Sequence, residues 1–258
     1  MDKHRLSNRH MNLLQNQRAN LLLDAYNYWY EVASAETKEM VEHAHRIRYK
    51  VYCCENKFES SEDHRNNMEI DEYDVRSAHC LLTDRSNNQI VGTVRMILPD
   101  INALDSSFPV QQFCSRQLIC ERKIPLATTA EVSRFAISRV FRYRTLEGIR
   151  APSVPVDKEV LEPFITLGLI RGLVQMSLDH GITDWFAVME PSLIRLLSRF
   201  SIHFKPLGAL IEYHGKRQPS HIKVKDMLYD VYRHKYEIWQ VITNNGEIFS
   251  QRSQLQSC

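Results

Sequence analysis

Glycine is scarce in this chain, with 8 in 258 residues alongside 9 prolines, too few for a collagen-like, low-complexity or glycine-rich linker sequence. The glycines are also scattered, and neither G-x-G-x-x-G nor G-x-x-x-x-G-K-[ST] occurs. Those loops need glycine to bring backbone N–H groups against phosphate, so the common dinucleotide and triphosphate sites are excluded. Long apolar runs are missing too: the strongest, Phe164 to Val174, is broken by Arg171 and falls short of the roughly 20 residues that a bilayer requires. Near the start, Lys3, Arg5 and Arg9 precede Leu21-Leu22-Leu23, but Asp24 ends that run before it can act as an export signal. The expected location is therefore cytoplasmic, with no transmembrane segment. Six cysteines are too sparse for a disulfide framework and show no C-x-x-C spacing, so they are expected as reduced thiols without a metal. With a net charge of +2 the chain favours no oppositely charged partner, and nucleic acid is not expected.

What is present divides into a polar arm over 1–20, one folded domain over 21–243 and a tail over 244–258 expected to lack order. Tyr26 to Ala33 reads as a strand from its aromatic and β-branched content. Glu36 to Tyr52 reads as a helix with Met40, Val41, Ala44, Ile47 and Val51 at helical spacing. A polar acidic segment, Glu55 to Asp74, follows. Ala78 to Thr83 and Gln89 to Leu98 predict an antiparallel hairpin around Asp84-Arg85-Ser86-Asn87-Asn88. Asn102 to Thr128 is irregular, with a short helix near Val110 to Gln117. Strand and helix then alternate: strand Ala130 to Ser138, helix Lys158 to Asp179, strand Thr183 to Met189, helix Pro191 to Phe200 and strand Phe204 to Tyr213. Val224 to Arg233 reads as a helix and Tyr236 to Ile242 as a strand. This order predicts a mixed α/β sheet, antiparallel in its N-terminal part and β-α-β in its C-terminal part.

Charges inside apolar strands are the chemical signal. Glu131-Val132-Ser133-Arg134-Phe135 places two ionisable groups in an otherwise buried pattern, and period two puts Glu131 and Ser133 on one face with Arg134 on the other. Arg95 sits likewise in Ile90 to Leu98, Arg48 near the end of the first long helix, and four acids crowd Glu69-Ile70-Asp71-Glu72-Tyr73-Asp74. Buried charges must meet partners or a ligand. One reading is a structural ion-pair network. The other is a pocket for a zwitterionic small molecule, with guanidinium groups facing its carboxylate and carboxylates its amine. Beyond the strand, residues 131–150 hold five Arg against two Glu, a basic stretch suited to one phosphate or an acidic protein surface. Cys53, Cys54 and Cys80 read as buried small hydrophobes and not as acyl-accepting thiols.

The runs Ile47-Arg48-Tyr49-Lys50-Val51-Tyr52-Cys53, Glu69-x-Asp71-Glu72-Tyr73-Asp74, Gly92-Thr93-Val94-Arg95, Glu131-Val132-Ser133-Arg134-Phe135, Glu190-Pro191-Ser192-Leu193-Ile194-Arg195-Leu196-Leu197 and His214-Gly215-Lys216-Arg217-Gln218-Pro219 resemble the PEP-CTERM/exosortase system-associated acyltransferases. Their order runs from about Tyr26 to Ile242. The resemblance implies a GNAT-like three-layer αβα sandwich with a mixed, partly antiparallel central sheet, similar to N-acyl amino acid synthases and acyl-homoserine-lactone synthases. It implies a long-chain acyl group on acyl carrier protein as donor, with acyl coenzyme A open as an alternative, and a small amine as acceptor. No permanently bound cofactor is implied.

Carried onto matching positions, the resemblance implies catalytic roles for Glu131, as base, and Ser133. Arg48, Asp71, Asp74, Arg95 and Arg134 would form the acceptor pocket and its ion pairs, with Tyr52 in place of the family's Phe. Phe58 stands where Trp is usual, which turns the acceptor away from S-adenosylmethionine. Where most GNAT enzymes carry [QR]-x-x-G-x-[GA], this chain has Arg139-x-x-Arg142-x-Arg144. Arg139, Arg142 and Arg144 are therefore expected to grip the pantetheine phosphate and the carrier protein with side chains. A lactone synthase and a non-catalytic acyl- or lipid-binding regulator remain the alternatives, and peripheral membrane contact through the arm is left open.

Overall fold

The computed structural model describes residues 21–139, 161–212 and 215–250; the N-terminal arm, Arg142, Arg144 and the last eight residues lie outside the described residues. Residues 21–29 form helix α1 and Tyr30–Ser34 forms strand β1, which corrects the strand expected from Tyr26. Ala25, Tyr26 and Trp29 are buried, and together with Leu22 they repeat at i, i+3, i+4 and i+7. That spacing is helical, and it outweighs the aromatic content that suggested a strand. Helix α2 (Lys38–Tyr49) starts at Thr37, whose side chain accepts from the Met40 N–H at 3.3 Å. It runs directly into a π-helical segment, Lys50–Glu55.

The hairpin forms as expected from β2 (Ser77–Asp84) and β3 (Gln89–Ile97), with β4 (Thr129–Ile137) antiparallel beside β3. In the irregular stretch a 3-10 turn at Pro109–Gln112 and helix α3 (Arg116–Glu121) replace the single short helix expected. Ser115 caps α3 by accepting from the Leu118 N–H, and its own N–H donates to the Leu207 carbonyl, so a tertiary contact sets this boundary. Helix α4 (Thr166–His180) stops at Gly181, whose φ of 67° is a left-handed cap. Strand β5 (Asp184–Met189) lies parallel to β4, and helix α5 (Pro191–Arg199) follows.

The C-terminal part departs most from expectation. The strand expected over Phe204 to Tyr213 shrinks to two short pairs, β6 (Lys205–Pro206) and β7 (Ile211–Glu212). The long strand is β8 (Lys216–Lys223), antiparallel to β5. Its polar opening and Pro219 read as a loop in isolation, and only pairing with β5 makes it a strand. Helix α6 (Val224–His234) forms where expected, whereas α7 (Tyr236–Thr243) is a helix and not a strand. Buried Ile238, Val241 and Ile242 supply its helical spacing. The expected tail boundary also shifts, because residues 247–250 are helical and Ile248 is buried.

The sheet order is β1-β2-β3-β4-β5-β8-β6, with β7 on β8. One face carries α4, which packs on β1, β2, β3 and α7, and the other carries α2. This is the expected mixed α/β, GNAT-like sandwich. The α4 face is apolar, with Cys80, Leu82, Val94, Met96 and Val132 meeting Leu169, Leu173 and Met176. On the opposite face Ile97 and Phe186 join Phe108, Val110, Ile119 and Ile124 in a smaller cluster. Alternation leaves His79, Arg95 and Glu131 on that second face. Among the described residues no helix is long and apolar enough to cross a membrane.

Candidate active site

Two irregularities in β4 build the site. The register between β3 and β4 slips between Thr93↔Ala136 and Arg95↔Ser133, and Arg134 sits at φ 51°. Two residues of β4 thus oppose one of β3, a bulge that turns a side chain out of the strict alternation. Ser133 and Arg134 consequently reach the same cluster, which corrects their expected placement on opposite faces. The parallel ladder with β5 also stops at Val132↔Ala187, although β4 continues to Ile137 and β5 to Met189. Among the described residues, the β5-facing edge of 133–137 has no strand partner past Val132.

Three arginines and three carboxylates meet beside the bulge. Arg48, fully buried on α2, donates through Nε to Glu69 at 2.5 Å and through Nη1 and Nη2 to Asp74 at 2.6 and 3.0 Å. Arg95 donates to Ser133 Oγ at 2.9 Å, to Asp71 at 2.6 Å and to Asp74 at 3.1 Å. Arg134 grips Glu69 with Nε and Nη2 at 2.9–3.1 Å, reaches Asp71 at 3.2 Å and lies over the Tyr52 ring at 5.4 Å. The acidic run is shaped locally for this: Asp71 accepts from the Tyr73 N–H and Asp74 from the Asp71 N–H, a reciprocal cap on the turn Glu72–Arg76. Sequence reasoning placed Glu69 in the acidic run but did not single it out. Its signal was being 1% exposed in a polar loop, which only the folded chain reveals.

Electrostatics follow from this packing. Burial raises the Glu69 carboxyl, but hydrogen bonds and charge from Arg134 and Arg48 outweigh it and hold it at about 2. Asp74 is also raised by burial, yet His45, Arg48 and Arg95 hold it far below the usual carboxylate range. Glu131 goes the other way: burial lifts it to about 7 against the Val110 N–H, which donates to Oε2 at 2.9 Å, and against Arg95 and Arg134. A carboxyl poised there can take a proton near neutrality. Burial and the Arg48 charge push His79 down to about 3, so it is neutral.

Asp74, His45 and His79 bring possible ligand atoms within 4.8 Å of one another. The donor set does not suit a cation, because Asp74 Oδ1 already accepts from both Arg48 and Arg95. Three thiols are passive, since burial raises Cys53 to about 11 and Cys80 and Cys114 to about 12; Cys54, expected buried, is exposed.

The remaining expected residues lie around this cluster. Phe58 packs near Tyr52, with ring centroids 6.2 Å apart, and the Arg217 guanidinium lies 5.7 Å from its ring. Arg139 is exposed; its N–H donates to Glu55 at 2.7 Å and its side chain to Asn56 at 2.5 Å. Glu55 also accepts from the Ser138 hydroxyl at 2.6 Å.

Residues 47–149 match the acetyltransferase (GNAT) domain model, a span holding the acidic run, the hairpin and β4. No curated protein matches the sequence. Among solved structures the chain is similar to TofI in a ternary complex with an inhibitor and MTA, at 19% identity over 75% of this chain and 89% of that one, with a TM-score of 0.52. It is similar to BjaI, a CoA-dependent acyl-homoserine lactone synthase solved with SAM and isopentyl-CoA, at 18% identity over 84% and 88%, TM-score 0.52. FeeM, an N-acyl amino acid synthase from uncultured soil microbes, aligns at 14% identity over 80% and 97%, TM-score 0.49. At such identities the likeness is one of fold. The domain match over residues 47–149 and the shared fold support an acyltransferase carrying a GNAT domain.

Proposed function

We propose that the protein is an N-acyltransferase that moves a long-chain acyl group from an acyl carrier protein thioester to the amine of an amino acid or related small molecule. The observation that carries this reading is Glu131, a buried carboxyl held at about 7 where the β4–β5 ladder ends. An amine attacking a thioester must lose a proton, and a group near 7 accepts it at neutral pH, directly or through a water. The nitrogen bonds to the carbonyl carbon, the C–S bond breaks, and the thiolate leaves to be protonated. Backbone N–H groups on the unpaired edge of β4 stabilise the oxyanion.

Arg95 fixes Ser133 from below, while Arg48, Glu69 and Asp74 act as the buried foundation of the pocket. Arg134 and Asp71, whose side chains are 19% and 20% exposed, form its accessible rim with Tyr52 and Phe58. On the donor side, the Arg139 N–H is occupied by Glu55. Arg139, Arg142 and Arg144 would then meet the phosphate with their side chains, which supports carrier protein over coenzyme A. The motif runs further support kinship with the PEP-CTERM/exosortase-associated acyltransferases and a cytoplasmic site of action.

The test is mass spectrometry of products from palmitoyl-acyl carrier protein or palmitoyl coenzyme A incubated with an amino acid pool and S-adenosylmethionine. The expected product is an N-acyl amino acid, formed faster from the carrier protein and lost with Glu131→Gln. A lactone with released methylthioadenosine assigns the acceptor to S-adenosylmethionine instead, and faster turnover of the coenzyme A thioester overturns the donor reading.

A further inference from the structure

The arginines of the central cluster have their charge balanced: Arg48, Arg95 and Arg134 face Glu69, Asp71 and Asp74 in close hydrogen bonds. An incoming carboxylate gains little there without expelling a buried acid, which would leave that acid uncompensated. A further guanidinium stands beside the cluster. Arg217, on β8, lies over Phe58; Phe58 packs on Tyr52; and Tyr52 lies under Arg134. Two cations thus flank one aromatic pair, and of the two only Arg134 is held by a buried acid, Glu69.

Among the described residues, Arg217 meets Glu190 at 2.9 Å and, weakly, the Lys216 carbonyl at 3.4 Å. The Arg217 side chain is 13% exposed and that of Glu190 45%. Glu190 directly follows β5, and Gln218, next to Arg217, pairs with Met189. The ion pair therefore stands at the end of the sheet where β4 and β5 have already parted. A half-exposed carboxylate can exchange into water at small cost, leaving a shielded planar donor suited to bidentate carboxylate binding.

We infer that Arg217 is the acceptor-binding residue that recognises the carboxylate of an amino acid substrate, with Glu190 holding its place until the acceptor arrives. This rests on the N-acyltransferase reading above. The Phe58 and Tyr52 rings give the acceptor an apolar wall between that carboxylate contact and the charged cluster, and Arg217 makes the enzyme prefer α-amino acids over amines lacking the acid group.

The experiment supplies the common amino acids and their primary amides as one equimolar mixture, with palmitoyl-acyl carrier protein and palmitoyl coenzyme A, and reads the ratio of N-acylated acid to N-acylated amide. A ratio is not moved by partial loss of folded enzyme. The wild type should favour acids by about tenfold or more, Arg217→Ala should bring the ratio near one, and Arg217→Lys should fall between. Glu190→Gln should keep the preference and lower the acceptor KM, since the competing carboxylate is gone. Loss of the preference in Glu190→Gln, or an Arg217→Ala effect confined to donor KM, overturns the inference and leaves the N-acyltransferase reading standing. Absence of any N-acylated product with the wild type overturns both.

Discussion

Glu131 and Glu69 are the same residue type a short distance from one cluster of arginines, and their carboxyls are driven to about 7 and about 2. The difference is contact. Glu69 takes hydrogen bonds from two guanidinium groups, whereas the recorded donor to Glu131 is a neutral backbone N–H, so burial dominates. Glu131 was readable from the chain because a carboxylate in an apolar strand is conspicuous. Glu69 was not, because an acid in an acidic run looks solvated. If Glu131 is the base, kcat/KM should climb about tenfold per pH unit below about 7 and level off above it, once the acceptor amine's own ionisation is divided out. Glu131→Gln should remove that limb and lower kcat by about 10²–10⁴-fold, as a stopped-assay pH profile would measure.

Helix α4 depends on two glycines for its approach to the sheet. A Cβ on Gly172 would lie 2.1 Å from Cys80 Sγ and 2.7 Å from Cys80 Cβ, and one on Gly168 would lie 2.3 Å from Tyr26 Oη. Gly172→Ala should therefore cost about 1–3 kcal/mol by overpacking and lower Tm by several degrees in calorimetry. Cys80→Ala should restore only part of it, because the Cβ–Cβ contact persists. Two glycines four apart inside an apolar helical run were visible in the chain itself. The β4 bulge was not: alternation says nothing of an extra residue, and Arg134 adopts its left-handed backbone because β3 must register with Ser133 on one side and Ala136 on the other. Helices α1 and α7 show the converse, since their spacing was helical in the chain and only their aromatic and β-branched content pointed to strands.

The ion cluster ties α2, the acidic turn, β3 and β4 into one unit, so its energetics belong to the whole molecule. Arg48→Met strips the buried Glu69 and Asp74 of a partner and should cost about 3–5 kcal/mol, a Tm drop on the order of 10 °C. The pH dependence of stability follows by sign. Glu69, held at about 2 against 4.5 unfolded, stabilises above 4.5, and that contribution is lost as pH falls toward 2. His79, neutral down to about 3, adds loss over 6.5 to 3 because the unfolded histidine binds a proton first. Glu131 has the opposite sign: the folded state keeps its proton between 4.5 and 7, so its contribution declines as pH rises through that window. Urea unfolding should accordingly show steep acid loss below 4.5 and a flat region above it. Glu131→Gln should turn the flat region into a rise.

Residue order alone specified the class of fold, the hairpin, the long apolar helix and the strand whose charges needed partners, because periodicity and burial cost are local properties of the chain. Four things waited for the tertiary structure. Strand β8 exists because β5 offers it a ladder. Arg134 joins Ser133 because a bulge overrides alternation. The arginines and acids of distant segments neutralise one another only when α2 and the acidic turn meet the sheet, which converts most of the expected binding cations into a foundation. Arg217 gains its place over Phe58 the same way, since no spacing along a chain can announce a contact between residues 159 positions apart. Local signals encode which side chains must be buried; long-range pairing decides which of them remain able to meet a substrate.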